Sequence, residues 1–273
     1  NGELHLGAHC LRSGASSLCA AEQQLLPQPK INYQLRDFPL ATLQPWLPAD
    51  AQLEGLLNGT VQLAISDQGP RGNISLDAGQ GQLRVRHEQQ WEVFAWQTLQ
   101  LKSELTAKAI QSKLQLTGAE SGHLELRANL DPRTQDHKLS GQFLIEQVDL
   151  SVLRPFISQV AVLEGQLAGR GSLSGTLLAP RINGYVQLRE GQISGGDLPT
   201  PIEQLQLRAD IQGERMLLNG GWRSGEQGAA VISGDLNWAK QLLVDVDIKG
   251  QHLPVLVEPY AKLEIAPDLQ ISL

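Results

Sequence analysis

The sequence is poor in several residue types on which other protein classes depend. It holds one Met, four Phe, three Tyr and two Cys among 273 residues, and charged residues make up only 19%. No stretch approaches the roughly 20 consecutive apolar residues of a membrane-spanning helix. The net charge is -7, and the longest basic cluster is Arg84-Val85-Arg86-His87. Nothing therefore marks the chain for nucleic acid or for an anionic membrane surface.

Motifs for catalysis are missing or incomplete. Residues 169–175 approximate a dinucleotide-binding glycine pattern, but the third Gly comes one position late and no helix pattern follows. The carboxylates of Asp245-Val246-Asp247 fall on the solvated face of a strand pattern, which argues against a calcium site. The sequence also lacks a Gly-x-Ser-x-Gly elbow and a phosphate-binding loop. We predict a protein that is not an enzyme, with no cofactor and no metal.

The two cysteines suggest a cross-link near the start of the chain. Cys10 and Cys19 bracket eight residues, and Ser13-Gly14 can turn this loop so that its ends meet. We interpret the pair as a disulfide, which implies an oxidising compartment. Two unpaired, partly buried thiols remain the alternative, since an even count of two is weak evidence. A zinc site with His5 and His9 fails, because in a strand at about 3.3 Å per residue their imidazoles lie about 13 Å apart.

Alternation of apolar and polar residues with a period of two runs through most of the chain. In residues 60–66, for example, Val61, Leu63 and Ile65 share one face of a predicted strand. The same pattern recurs in residues 73–77, 82–86, 113–117, 123–127, 185–189, 204–208 and 245–249. Turn-forming segments separate these strands at residues 67–70, 79–81, 119–122, 131–133 and 225–228. Connections this short join antiparallel neighbours, because a parallel pair needs a crossover of a dozen residues or more.

Three segments break the alternation and reveal an internal repeat. Residues 38–47, 148–157 and 253–260 each predict a short helical turn that ends at a Pro and an aromatic residue. Around the first two, an offset of 110 positions relates Leu43, Pro45, Trp46, Leu53, Glu54, Gly55, Gly59 and Leu63 to Leu153, Pro155, Phe156, Leu163, Glu164, Gly165, Gly169 and Leu173. Leu263-Glu264 continue the register 100 positions further on. We predict four sections: residues 1–36, the end of a preceding repeat with the Cys pair; 37–147 and 148–250, two groove-forming repeats; and 251–273, the start of a further repeat.

The repeat determines the predicted fold. Units of about six strands and one crossover do not each close a core, so they share an extended sheet. We predict an all-β fold in which an elongated, curled, mainly antiparallel sheet has an apolar concave face and short helical crossovers. Some fourteen strands, about 4.8 Å apart, make a groove about 65 Å long, which suits chain-like ligands. The residues predicted to line this groove are Val61, Leu63, Leu76, Leu83, Val85, Leu114, Leu116, Leu124, Leu126, Val186, Leu188, Leu205, Leu207, Val246 and Ile248.

Several segments of the sequence resemble one protein family. They are the Cys pair within residues 10–20, the repeat, the segment Ala-Pro-Arg-Ile-Asn-Gly-Tyr-Val-Gln-Leu-Arg-Glu-Gly-Gln-Ile at residues 179–193 and the closing Ala266-Pro267-Asp268-Leu269. In this order they resemble the TamB family, the translocation and assembly module subunits of Gram-negative bacteria. That family is related to AsmA-like proteins and to the repeating β-groove, or β-taco, lipid-transfer proteins. The resemblance runs along the whole chain and places it in the part that leads into the C-terminal domain.

The resemblance implies a protein that is anchored in the inner membrane and lies in the periplasm. It also implies the outer-membrane barrel TamA as a partner, and a role in phospholipid movement and in outer-membrane protein insertion. The anchor and the TamA-binding end are expected outside these 273 residues, so the chain is expected to be a section of a longer protein.

The alternation itself suggests how such a groove works. Repeated Leu, Val and Ile side chains give an acyl chain nearly equal binding energies at successive positions of the groove. The acyl chain can therefore slide, and we predict passive conduction of phospholipids. One alternative is a chaperone that holds outer-membrane protein strands by β-augmentation. A structural scaffold or a carbohydrate-active solenoid is a third possibility, although the latter needs clustered carboxylates that the sequence lacks.

Overall fold

The structure, a computed structural model, describes residues 2–87, 90–134, 136–157, 160–196, 198–257 and 261–272. Strands β1 to β8 span Leu4–Leu6, His9–Ser13, Ser16–Ala20, Gln23–Leu26, Lys30–Pro39, Ala51–Ser66, Gly69–Asp77 and Gly81–His87. Strands β9 to β16 span Gln90–Trp96, Thr98–Leu105, Ile110–Gly118, Gly122–Leu130, Leu139–Asp149, Val162–Gly175, Pro180–Ser194 and Ile202–Gly213. Strands β17 to β22 span Arg215–Ser224, Gly228–Asn237, Leu243–Gln251, Leu253–Val257, Ala261–Ile265 and Asp268–Ser272. Two 3₁₀ helices span Leu40–Trp46 and Leu150–Phe156.

The predicted fold class, an all-β curled and mainly antiparallel sheet with short helical crossovers, is confirmed. Every segment predicted from the period-two alternation lies within a strand. The strand pairs whose registers are described are antiparallel, as the short turns predict.

The chain divides into two compact units. Unit 1 comprises Asn1–Phe143 and Leu173–Pro180, and unit 2 comprises Leu144–Ser172 and Arg181–Leu273. In unit 1, antiparallel pairing runs in the order β2, β3, β5, β6, β7, β10, β11, β12. In unit 2 the order is β15, β16, β17, β18, β19, β22.

One predicted hairpin is wrong. Residues 79–81 do not turn β7 back onto β8, because both strands pair with β6. The sixteen-residue β6 is long enough to hold β8 against its first part and β7 against its second part. The first part ends at Gly55, which pairs with Gly81 and whose φ of 137° is one that residues with a side chain rarely adopt. Thus β7 and β8 follow each other along one edge of the same strand.

The first two predicted helical turns are confirmed, and the third is wrong in its described part. Asp149 caps the second 3₁₀ helix, because its carboxylate accepts a hydrogen bond from the Ser151 N–H at 2.8 Å. The third segment begins instead as β20, which among the described strands pairs only with β21. Val255 and Val257 favour a strand, and Pro254 is tolerated where a strand needs no second partner. Residues 258–260 lie outside the described residues.

The two cysteines lie opposite each other in the β2–β3 hairpin. Cys10 pairs with Cys19 in the antiparallel register, and their Cα atoms are 4.1 Å apart. The two Sγ atoms are bonded to each other. The cross-link therefore joins the two strands of one hairpin near the start of unit 1.

Candidate functional site: the apolar face of the sheet

A continuous row of leucines crosses the sheet of unit 1. Directly opposite residues on neighbouring strands lie about 4.5–5.5 Å apart and point to the same face. The registers place eight such residues side by side, and we call them the leucine row: Leu11, Leu18, Leu35, Gly59, Leu76, Leu101, Leu114 and Leu126. Seven strand spacings of about 4.8 Å make this row about 34 Å long. It runs across the strands, not along them.

Apolar rows also lie beside the leucine row on the same face. One contains Tyr33, Val61, Ile74, Ser103, Ser112 and Ala128. The next contains Ile31, Leu63, Gly72, Leu105, Ile110 and Leu130. Most of these side chains are only half-buried, and Leu114 is 38% exposed. Unit 1 thus holds a broad apolar surface that its own side chains do not cover.

One end of this surface is closed by the first 3₁₀ helix. The buried residues Leu40, Ala78 and Trp96 form a packed cluster. Around it pack Leu43, Leu53, Leu57, Leu83, Phe94, Leu99 and Leu116. The crossover therefore acts as an apolar plug, and Leu83 and Leu116 belong to the packed core beneath it.

A cavity of about 960 Å³ lies against the open part of the sheet in unit 1. Its lining consists of residues 73–75, 102–104, 111–113, 127–129 and 140–142, together with Leu173. The middle residue of each three-residue segment is half-buried, and all but one of the residues that flank them in β10 to β13 are more exposed. Because six strands surround one cavity, the sheet of unit 1 curves around it.

The opposite face of unit 1 carries charged side chains, among them a carboxylate between two cations. The Glu125 carboxylate accepts a hydrogen bond from Arg127 Nε at 2.6 Å and lies 3.1 Å from Lys113 Nζ. Partial desolvation raises the pKa of Glu125, but the hydrogen bonds and charges of Lys113 and Arg127 outweigh it and hold the pKa below its usual value. The Glu125 carboxylate is therefore neutralised by two cations, and this arrangement does not suit acid–base chemistry.

Unit 2 has its own packed cluster and its own open rows. The buried residues Leu150, Leu163, Leu188 and Leu205 form the cluster, against which Leu207 packs. One row contains Leu188, Leu207, Gly220, Ile232, Ile248 and Leu269. The next contains Val186, Ala209, Leu218, Gly234, Val246 and Ile271.

The predicted groove residues therefore fall into two groups. Leu83, Leu116, Leu188, Leu205 and Leu207 pack in or against a buried cluster. The others are not members of either cluster, although Leu124 stands opposite Leu116 and Ile248 shares a row with Leu188 and Leu207. This second group consists of Val61, Leu63, Leu76, Val85, Leu114, Leu124, Leu126, Val186, Val246 and Ile248. Whether the second group contacts a ligand stays a prediction.

Sequence reasoning omitted several members of the same face. Leu35, Leu101 and Leu105 share it with the predicted residues. The alternation in Thr98–Leu105 carried the signal for the last two. No pattern in the sequence indicated the cavity, because its lining depends on which strands become neighbours in the sheet.

Two kinds of site are not found. Among the described residues, no group of three or more His, Cys, Asp or Glu side chains could hold a metal ion. In the same part of the chain, no helix is both long and apolar enough to cross a lipid bilayer.

Comparison with known proteins identifies the family of the chain. The family model described as TamB, N-terminal domain, matches residues 1–188, which is more than half of the chain. Residues 189–273 lie beyond the matched region. No solved structure matches the chain.

Proposed function

The chain belongs to the TamB family, and from that premise we propose that its apolar sheet face conducts phospholipids between the inner and outer membranes of a Gram-negative cell. In this proposal the acyl chains lie on the apolar rows while the head groups stay in water at the open side. The protein supplies a path and performs no chemical step.

The observation that carries the proposal is the leucine row. Seven of its eight residues are leucine, and it continues across eight strands. Burial of one methylene is worth about 0.8 kcal/mol, so a chain of about sixteen carbons favours such a surface over water by on the order of 12 kcal/mol. Because successive positions of the row offer the same side chain, the acyl chain has similar binding free energies as it moves along the row.

The location and the partner belong to the same proposal. We place the chain in the periplasm, as part of a protein with an inner-membrane anchor. Its outer-membrane partner would be TamA, bound through parts beyond these residues. The Cys10–Cys19 bond supports this location, because disulfides persist in oxidising compartments such as the bacterial periplasm.

Site-specific photo-crosslinking in cells tests the proposal. A photoreactive amino acid replaces Leu63 or Leu114, which stand on the open rows, and in matched controls replaces their sequence neighbours Gln62 or Gln115, which lie on the other face. Mass spectrometry then identifies the adducts. We expect phospholipid adducts at the two leucine positions and none at the two glutamine positions.

Two results would contradict the proposal. Equal lipid labelling at all four positions would indicate non-specific contact with membranes. Adducts that consist only of outer-membrane proteins would favour a chaperone that holds unfolded strands.

A further inference from the structure

The cavity of unit 1 is elongated across the strands. Each of β7, β10, β11, β12 and β13 contributes three consecutive residues, and β14 contributes Leu173. Three residues cover only about 10 Å along a strand, whereas five strand spacings cover about 24 Å. The cavity therefore has its long axis parallel to the leucine row.

The residues in the middle of the cavity are small, and their size leaves the cavity open. Ser103, Ser112 and Ala128 stand opposite one another on β10, β11 and β12, between rows of larger side chains. Gly141 follows on β13, where a Cβ atom would collide with the Arg127 carbonyl oxygen. The two serine hydroxyls of this row bond to each other, with Ser103 Oγ 2.9 Å from Ser112 Oγ. An apolar occupant would thus leave neither hydroxyl without a partner.

A polypeptide does not suit this position. Strands β7, β10 and β11 each pair with neighbours on both edges, so their backbone groups are already bonded. A peptide lying across them would have no main-chain partner for its own N–H and C=O groups, and each unpaired group that loses water is costly. An acyl chain has no such groups.

From these features, and resting on the proposed function, we infer that a phospholipid acyl chain lies lengthwise in this cavity, across strands β10 to β13. The dimensions agree with one chain. An acyl chain spans half of a hydrocarbon core of about 30 Å, or about 15 Å, and fits within the cavity length of about 24 Å. Ile74 and Leu173 bound the cavity at its two ends.

Lipids with a diazirine at different depths test the orientation. The purified chain is mixed with phosphatidylethanolamine–phosphatidylglycerol liposomes that carry a diazirine either beside the acyl ester or at the terminal methyl group. After illumination, mass spectrometry maps the adducts. We expect the two probes to label different strands among β10 to β13, at equivalent positions within each strand.

Two double variants test whether the cavity must be open for the lipid to bind. Ser112→Leu with Ala128→Leu adds apolar volume inside the cavity, and Thr117→Leu with His123→Leu adds it at opposite positions of the same two strands, on the other face and outside the cavity lining. Loss of contact with about two methylenes predicts about tenfold less labelling of β10 to β13 in the first pair and no change in the second. Circular dichroism verifies that each variant is folded.

The outcomes separate this inference from the proposed function. If both probes label one strand at successive positions, or if the filled variant is labelled as strongly as the control, the lengthwise chain is refuted while the groove stands. If wild-type protein takes up no lipid label anywhere, the proposed function itself fails.

Discussion

An aspartate in the leucine row should block the movement of lipid at modest cost to stability. Leu114 is 38% exposed, so its replacement removes a little over half of a leucine's burial, about 1–2 kcal/mol. Val93 on β9 gives a matched control: it is 41% exposed and stands opposite Arg84 on the charged face. We expect Leu114→Asp and Val93→Asp to lower the free energy of unfolding by similar amounts.

The two variants should differ in lipid transfer. Placing an aspartate at the centre of a bilayer costs about 2.5–3.5 kcal/mol on insertion scales. If acyl chains slide past Leu114, a barrier of that size slows each passage by on the order of a hundredfold. The assay measures movement of a fluorescent phospholipid from donor to acceptor liposomes in the presence of each protein. Equal transfer by the two variants would show that an acyl chain does not contact the leucine row at β11.

Three further predictions concern the fold. Leu163→Ala, at a side chain 2% exposed, should lower the free energy of unfolding by about 2–5 kcal/mol in chemical denaturation, whereas Leu178→Ala, at one 94% exposed, should leave it unchanged. Gln147→Gly should raise the free energy of unfolding by up to about 1 kcal/mol, because Gln147 has a φ of 52° that favours glycine; an unchanged thermal midpoint would contradict this. Hydrogen bonds from the side chain and backbone of Arg133 lower the pKa of Asp131 from 3.8 to about 2. This contribution to stability is therefore complete above about pH 4 and is lost as the pH falls through 2; an NMR titration of the carboxyl that gives an ordinary pKa would contradict it.

Period-two alternation was sufficient to predict the strands and their faces. Val61, Leu76, Leu114 and Leu126 share one face in the structure because alternate side chains of a strand point the same way wherever the strand is placed. The Pro-containing interruptions likewise predicted the 3₁₀ helix at Leu40–Trp46. These are local properties of the chain.

The pairing of the strands was not predictable from alternation. The position of β8 beside the first part of β6 depends on contacts between residues about thirty positions apart, such as Leu53 and Leu83. The packing of Leu116 under the 3₁₀ helix also follows from that arrangement, since alternation cannot distinguish an open groove from a plugged end. The alignment of Ser103 with Ser112 and Ala128 required the registers of three strands at once.

Paramagnetic broadening by spin-labelled phospholipid shows whether acyl chains contact the leucine row. The chain, with 13C-labelled leucine and valine methyl groups, is mixed with phospholipid that carries a nitroxide near the end of its acyl chain. We expect strong broadening of the methyl signals of Leu101, Leu114 and Leu126 and little change at Val93 on the charged face. Equal broadening at the row and at Val93, or none at either, would contradict the claim that acyl chains lie on the apolar face of the sheet.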